Sequence, residues 1–488
     1  MQDFDESGSP HFETIARKSV KGLFALVSRT FFIQLLSVFA SFILTIFLDP
    51  ASFGIFFVVS AIVVFLNYFQ DIGLAASLIQ KKQEPTLLEL RTTFTVQQVL
   101  VLSVSIPTAV FAPQIAAFYK LDHSGLMLLY ALIASFVMSS LKTIPTILLE
   151  RRLDFNKLVI PQIAENFVYN ICLIVFAVLG FKVQSFTIAV LARSVIGLVL
   201  IYIIEPWPVG LAYDLKVLKR LLSFGVPFQA NSFLALLKDD LFDVYVAKVL
   251  PLTQVGYIGF GQKWAFMPLR LFMDNVVKIT FPSFSRLQHD PAALRKAIEK
   301  TLFLISVCMF PVVVSIVLFS PYLVSFIPKY KKWEPAILSL TFFSLSTILS
   351  SLSTPLTNIL SAIGKVRITL YFMVLWTALT WIISPLFIFW FGYNGVAIAS
   401  FLISFSSVLV FAIARSFIEF SMIKPVIPAG AAAIAMSIFA LFTQHIAVSF
   451  PLLVLEMMLS LMFYALVLYG LARGEIHRTL KFIKSSIR

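Results

Sequence analysis

Asp239, Asp240 and Asp243 stand close together in an otherwise apolar stretch of the chain. Carboxylates so near one another repel, which raises the proton affinity of at least one of them. Such a cluster can take up a proton or hold a sodium ion. Further on, Lys263, Met267, Arg270, Asp274 and Lys278 recur at steps of three and four, so they share one face of a helix. At about 1.5 Å per residue, Asp243 lies roughly 10 Å, Lys263 roughly 14 Å and Asp239 roughly 16 Å from the turn joining the two helices. Lys263 is therefore level with the acids. Arg270 lies deeper, at roughly 24 Å, where the preceding helix offers no acid. Asp274 is one turn away, and a guanidinium fork suits a phosphate.

Other charged residues sit in comparable surroundings. Arg29 and Asp71 both fall roughly 27 Å from the first such turn and could pair there, as a functional bridge or as a packing bridge between two helices. Glu165 with Gln162, Asn166 and Asn170 makes a polar helical face. That face suits hydroxyl-rich ligands or bonds to neighbouring helices. Lys142, Arg193, Lys238 and Lys278 complete the basic residues in apolar runs. Lys142 and Lys278 lie near run ends and fit snorkelling. The chain has no G-x-x-x-x-G-K-[ST] loop, no zinc-type His/Cys spacing and no nucleophile–base constellation. It is expected to be no enzyme and to need no cofactor or metal. Cys172 and Cys308, each in an apolar run, read as small core residues.

The elements that carry these residues follow from composition. Of 488 residues, 59% are hydrophobic and 13% charged, with 51 Phe. A soluble domain carries nearly twice that charge and could not bury so much apolar surface. Apolar runs of about 20 residues fall near 23–48, 53–80, 91–112, 125–149, 157–180, 184–204, 218–250, 254–281, 297–319, 334–362, 368–390, 395–415, 425–446 and 452–471. The expected fold is an all-α integral membrane protein of about fourteen transmembrane helices. The first helix is expected to be retained, its apolar run being too long for a signal peptide. With the N-terminus inside, inner segments hold about 25 of the 38 Lys and Arg and outer ones about six, so both termini are expected to be cytoplasmic. The same rule accounts for the net charge of +14 without nucleic acid. Three lysines at 329, 331 and 332 dissent, on an outer loop.

A weak internal repeat pairs Leu48–Ile55 with Leu250–Tyr257, and Phe181–Ala189 with Phe391–Ala399. Similar offsets predict two pseudo-symmetric six-helix lobes, 1–213 and 214–420, followed by two final helices and a basic tail, 421–488. The segment Asp71–Lys82 closes the second helix, and Leu222-Ser-Phe-Gly225-Val-Pro227, Val255-Gly256-Tyr257 and Phe281-Pro282-Ser-Phe-Ser285-Arg286-Leu-Gln288 surround the seventh and eighth. Together with the span count, these motifs resemble the polysaccharide or O-antigen flippases. The colanic-acid-exporter-like branch is included. That family lies within the multidrug/oligosaccharidyl-lipid/polysaccharide exporter superfamily.

The resemblance implies two six-helix lobes around a central cavity and alternating access. The implied cargo is undecaprenyl-diphosphate-linked oligosaccharide, moved from the cytoplasmic to the periplasmic leaflet of a bacterial inner membrane. A polymerase and a chain-length regulator of the same pathway would be partners, beside the cargo and membrane lipids. For such a cargo Arg29, Arg193, Lys238, Lys263 and Arg270 are the candidate cavity cations. Asp71, Glu165, Asp239, Asp240, Asp243 and Asp274 are the candidates for coupling to an ion gradient. A drug or lipid-precursor exporter of the same superfamily is the alternative. A polytopic glycan polymerase or glycosyltransferase fits less well, because the outer loops are short. If Arg270 contacts the diphosphate, Arg270→Ala abolishes most glycan export and Arg270→Lys lowers it in part. If it only neutralises Asp274, the double change Arg270→Ala with Asp274→Ala restores export. Glycan export by the single and double variants decides between the two.

Overall fold

The computed structural model describes residues 33–487 apart from 69, 71, 72, 82, 153 and 447. The description stops at the backbone for 80, 224–235, 274, 275, 277–279, 281–283, 285, 286, 446 and 478–487. Arg29 and Asp71 lie outside the described residues, as do the side chains of Asp274 and Lys278. The Arg29–Asp71 and Arg270–Asp274 pairings fall there with them.

All regular structure among the described residues is helical. The chain divides into two compact units, meeting in sequence at Thr253 and Gln254. The first holds α1 (Ile33–Phe47), α2 (Pro50–Asn67), α3 (Leu74–Gln80), α4 (Leu87–Val110), α5 (Ala112–Phe118), α6 (His123–Leu141), α7 (Thr143–Arg151), α8 (Phe155–Val178), α9 (Val183–Ile204), α10 (Leu215–Lys238) and α11 (Asp240–Val249). The second holds most of α12 (Leu252–Leu287), then α13 (Pro291–Phe326), α14 (Ile337–Ala362), α15 (Val366–Phe391), α16 (Asn394–Ser404), α17 (Ser407–Phe417), α18 (Ile423–Thr443) and α19 (Phe450–Ile487). Among the described residues 11 helical runs are long and apolar enough to cross a membrane, so this is a multi-pass membrane protein. The expected runs outside that set are 23–48, 218–250 and the charge-bearing 254–281.

Local chemistry sets where helices start. Asp49 caps α2 through Ser52 N at 2.7 Å, with Pro50 in the first turn. Asp122 caps α6 through Gly125 N at 2.8 Å, and Asp290 caps α13 through Ala293 N at 3.0 Å. Proline does not end the long helices, because each continues through Pro227, Pro268, Pro311, Pro355 or Pro385. The interruptions come elsewhere. The run 125–149 is α6 and α7 end to end, broken at Lys142, and 218–250 is α10 and α11, broken at Asp239. The run 395–415 is α16 and α17, broken at Phe405 and Ser406.

In the second unit the core gathers Met309 and Val313 of α13, Leu356 and Ile359 of α14, Ala432 and Met436 of α18, and Leu453 of α19. Gly261 of α12 lets that helix approach α14, since an added Cβ would lie 3.1 Å from Leu340 N. The α14 helix carries Ser346, Thr347, Ser350, Ser351, Ser353, Thr354, Thr357 and Ser361. Each hydroxyl donates to a carbonyl three or four residues back at 2.6–3.2 Å. Hydroxyls on a buried helix need acceptors, and their own backbone is the nearest one.

One end of the first unit is tied together by Glu89. Its side chain is 3% exposed, yet it accepts from Lys81 Nζ at 2.8 and 2.9 Å, from Thr86 N at 2.8 Å, and from Arg220. With Thr86 Oγ1 accepting from Glu89 N at 3.3 Å, this is a capping box at the start of α4. Arg151 spreads over the carbonyls of Leu78, Ile79, Lys81 and Gln83. Ser77 Oγ donates to Leu221 O at 2.6 Å, joining α3 to α10. Glu89→Ala removes both cap and counter-charge and is expected to cost about 1–3 kcal/mol. Glu89→Gln keeps an acceptor for Thr86 N and is expected to cost less. Thermal unfolding in detergent checks the order, and equal losses would refute the capping role.

Candidate functional site

The α6–α7 run and α8 lie antiparallel and turn polar stripes toward each other. Lys142, Thr146 and Glu150 follow one another at a spacing of four on the first, and Leu158, Pro161, Gln162 and Glu165 come from the second. With Gln70, Ser139 and Thr143 they line a cavity of about 350 Å³. Within this lining Lys142 Nζ lies 2.7 Å from Glu165 Oε1. The two side chains are 17% and 13% exposed, respectively. Coulomb attraction across so short a gap grows as water is removed.

The local sequence explains how the lysine is placed. Pro145 has no N–H, so the Leu141 carbonyl four residues back loses its helical donor. Tyr202 of α9 supplies a replacement, its hydroxyl donating to Leu141 O at 3.0 Å. At the break, Lys142 N donates to Ser139 O at 3.1 Å, a tighter turn than the α-helical one. From α4, Gln97 Nε2 donates to Thr143 Oγ1 at 2.8 Å. Ser140 Oγ donates to Gln98 Oε1 at 3.1 Å. The interruption is thus held by two neighbouring helices, α4 and α9.

On the far side, α9 makes room for the carboxylate. A Cβ on Gly197 would sit 1.7 Å from Glu165 Oε1 and 2.4 Å from its Cδ. One turn away, Arg193 lies over the Tyr169 ring at 5.6 Å. The α8–α9 register therefore sets Glu165 on Gly197 and Tyr169 under Arg193. Glu150, at the end of α7, makes no ion pair among the described residues, and burial raises its carboxyl above the ordinary range.

The candidates read from sequence separate into groups. Glu165 and Gln162 face the cavity, whereas Asn166 and Asn170 donate to carbonyls of their own helix at 2.7 Å, to Gln162 O and Asn166 O. Arg193 is exposed and beside Tyr169. Asp239 stands at the α10–α11 break and contacts Lys238, so that lysine is one partner of the acid cluster. Asp240 and Asp243 occupy the first turn of α11, with Asp243 N donating to Asp239 O at 3.0 Å. Lys263 and Arg270 are both exposed on α12. Sequence reading passed over Lys142 as a snorkelling residue and over Glu150, Thr146 and Gly197. The available signals were Pro145 three residues past a lysine and a glycine in mid-helix. It also passed over Glu456, a carboxylate of α19 that is 2% exposed and accepts from Thr443 Oγ1 at 3.2 Å.

The described residues thus form a helical membrane fold with a polar cavity and a charge pair in its lining. Residues 43–338 match the polysaccharide biosynthesis protein family, and the chain belongs to it. The resemblance carried by the sequence motifs, to polysaccharide flippases of the larger exporter superfamily, is borne out. The chain is 25% identical over 344 residues to the lipopolysaccharide biosynthesis protein WzxC of Escherichia coli K12, covering 68% of this chain and 67% of that one. Against an uncharacterized membrane protein in the cps region of Klebsiella pneumoniae the identity is 24% over 336 residues, covering 68% of each. The fold is similar to that of the lipid II flippase MurJ in an inward closed conformation, with a TM-score of 0.76 and 16% identity, over 92% of this chain and 99% of that one.

Gly197→Ala would push the Glu165 carboxylate off Lys142 and is expected to cost about 1–3 kcal/mol by overpacking. Combined with Glu165→Ala, which removes the clash, the two changes should be non-additive by about 0.5–3 kcal/mol. Thermal unfolding of the two single variants and the double variant measures the coupling. Strict additivity would show that the close approach does not constrain the helices.

Proposed function

We propose that the protein is a flippase that carries an undecaprenyl-diphosphate-linked oligosaccharide across the bacterial inner membrane, from the cytoplasmic to the periplasmic leaflet, for surface polysaccharide synthesis. Membership of the polysaccharide biosynthesis family is the observation that carries this reading. A glycan and a diphosphate cannot enter hydrocarbon without polar contacts. The cavity lined by Gln70, Ser139, Thr143, Thr146 and Gln162 offers such contacts inside a membrane fold.

In this reading the chain has fourteen spans arranged as two pseudo-symmetric lobes and two final helices. Both termini face the cytoplasm. Alternating access is driven by an ion gradient, with Glu165 and the Asp239–Asp243 cluster as coupling sites and Arg270 among the cargo ligands. The chain performs no covalent chemistry of its own, and a polymerase and a chain-length regulator act on the delivered cargo.

Deletion of the gene is expected to trap lipid-linked oligosaccharide on the cytoplasmic leaflet, and re-expression of the chain to release it. Protection of the glycan from a periplasmically added lectin or glycosidase reads the leaflet. If the deletion strain still displays the intact lipid-linked glycan on the periplasmic leaflet, the proposal is wrong.

A further inference from the structure

The segment 205–214, which joins α9 to α10, is not helical, and α4 holds it at several points. Arg91 Nε and Nη2 both donate to Pro208 O at 3.3 Å, and Ala212 N donates to Thr95 Oγ1 at 3.1 Å. Trp207 is buried against Phe94, edge to face, with ring centroids 5.3 Å apart. Gly210 lies close over Arg91, since a Cβ there would sit 2.7 Å from Nε. Arg91, Phe94 and Thr95 share one face of α4, so the segment is a strap laid on that face.

The outward side of the strap is apolar. Val209, Leu211, Tyr213 and Leu215 are exposed, Leu211 by 74%, and the residues between them are half-buried. Asp214 then caps α10, accepting from Lys216 N at 2.7 Å and Val217 N at 3.1 Å. That turn sends Lys216 and Lys219, three residues apart, out on one helical face. Both are exposed, and neither makes an ion pair among the described residues. The acids nearest in sequence are engaged, Asp214 as the cap and Glu205 with Arg152 at 2.9 Å. Before the strap, α9 exposes Val195, Val199 and Ile203 at a spacing of four, the pattern of a lipid-facing stripe on a membrane span. The strap begins where that span ends.

We propose that the strap and the first turn of α10 are a docking surface for anionic phospholipid. Val209, Leu211, Tyr213 and Leu215 sit at the boundary of headgroups and acyl chains, and Lys216 and Lys219 meet the lipid phosphates. An apolar row alone would suit any bilayer. Two cations beside it select a negatively charged surface. A tyrosine suits the same depth, with its ring toward hydrocarbon and its hydroxyl among the headgroups. Lysine stems lie along apolar surface while their ammonium groups reach outward. The pins on Pro208 and Ala212 hold the strap to α4, so a lipid contact made by the row bears on that helix. The inference goes beyond the transport reading and does not depend on it.

The test places the full-length chain in nanodiscs of mixed phosphatidylcholine and phosphatidylglycerol. One lipid or the other carries a photoreactive group beside its phosphate, and mass spectrometry identifies the labelled peptides. Labelling of residues 205–219 should favour the phosphatidylglycerol probe by at least about tenfold at low salt, and high salt should reduce that preference. Lys216→Gln with Lys219→Gln should bring the preference within about twofold, since each lysine contributes roughly fivefold at an anionic surface. Lys216→Arg with Lys219→Arg should retain it, which ties the effect to charge. Leu211→Ser should lower labelling by both probes, because it removes apolar contact and leaves the charges in place. Equal labelling of the wild-type strap by the two probes overturns the proposal. So does a preference that survives the double glutamine change. Labelling by neither probe overturns it too, since the row would then face water or protein.

Discussion

A charge inside a membrane protein is tolerable only when another charge and enough dipoles stand around it, and the first unit is organised around meeting that demand at Lys142 and Glu165. The ammonium and the carboxylate lie 2.7 Å apart with little water on either. Neither helix could deliver its charge alone. The α6–α7 run has to break to bring Lys142 to the right height, and α9 has to be bare at Gly197 for the carboxylate to lie down. Removing either condition leaves an unpaired charge in a low-dielectric interior, which is the most destabilising arrangement available to it.

The break illustrates how membrane helices carry irregular backbone. Each unpaired carbonyl in hydrocarbon costs several kcal/mol, so a helix interruption survives only if neighbours replace the lost bonds. At Lys142 a tyrosine hydroxyl from α9 takes the freed Leu141 carbonyl, and glutamine side chains from α4 hold the hydroxyls of Ser140 and Thr143 beside it. At Asp239 the next helix starts at once and its own first turn closes on the break. Both interruptions place a charged residue at a helix terminus in the first unit.

Much of this architecture was legible in the sequence. Long apolar runs bounded by charge report membrane helices directly, because the thickness of hydrocarbon sets their length. The motifs around the seventh and eighth runs identified the family. Glu165 and Gln162 were recognisable as a polar face from their spacing alone. The partner of Glu165 was not, because Lys142 is 23 positions away on another helix. Nothing in a one-dimensional pattern says which faces of two helices meet. The proline signal misled as well. Pro311, Pro355 and Pro385 lie within continuous helices, while the break at Lys142 precedes Pro145 by three residues. A proline removes a donor from a carbonyl four residues back, so its effect appears upstream. Asn166 and Asn170 looked equivalent to Glu165 by spacing, yet they spend their donors on their own helix.

The hydroxyl-rich α14 carries a mechanical consequence. A carbonyl that already accepts a serine or threonine hydroxyl holds its helical N–H partner less strongly, and helices with such shared acceptors bend more readily. From Ser346 to Ser361, eight side chains share acceptors in this way. That half of α14 is therefore a compliant rod beside stiffer, leucine- and valine-rich neighbours. Elastic strain imposed on the second unit would collect there first, curving α14 smoothly rather than snapping it at a single joint.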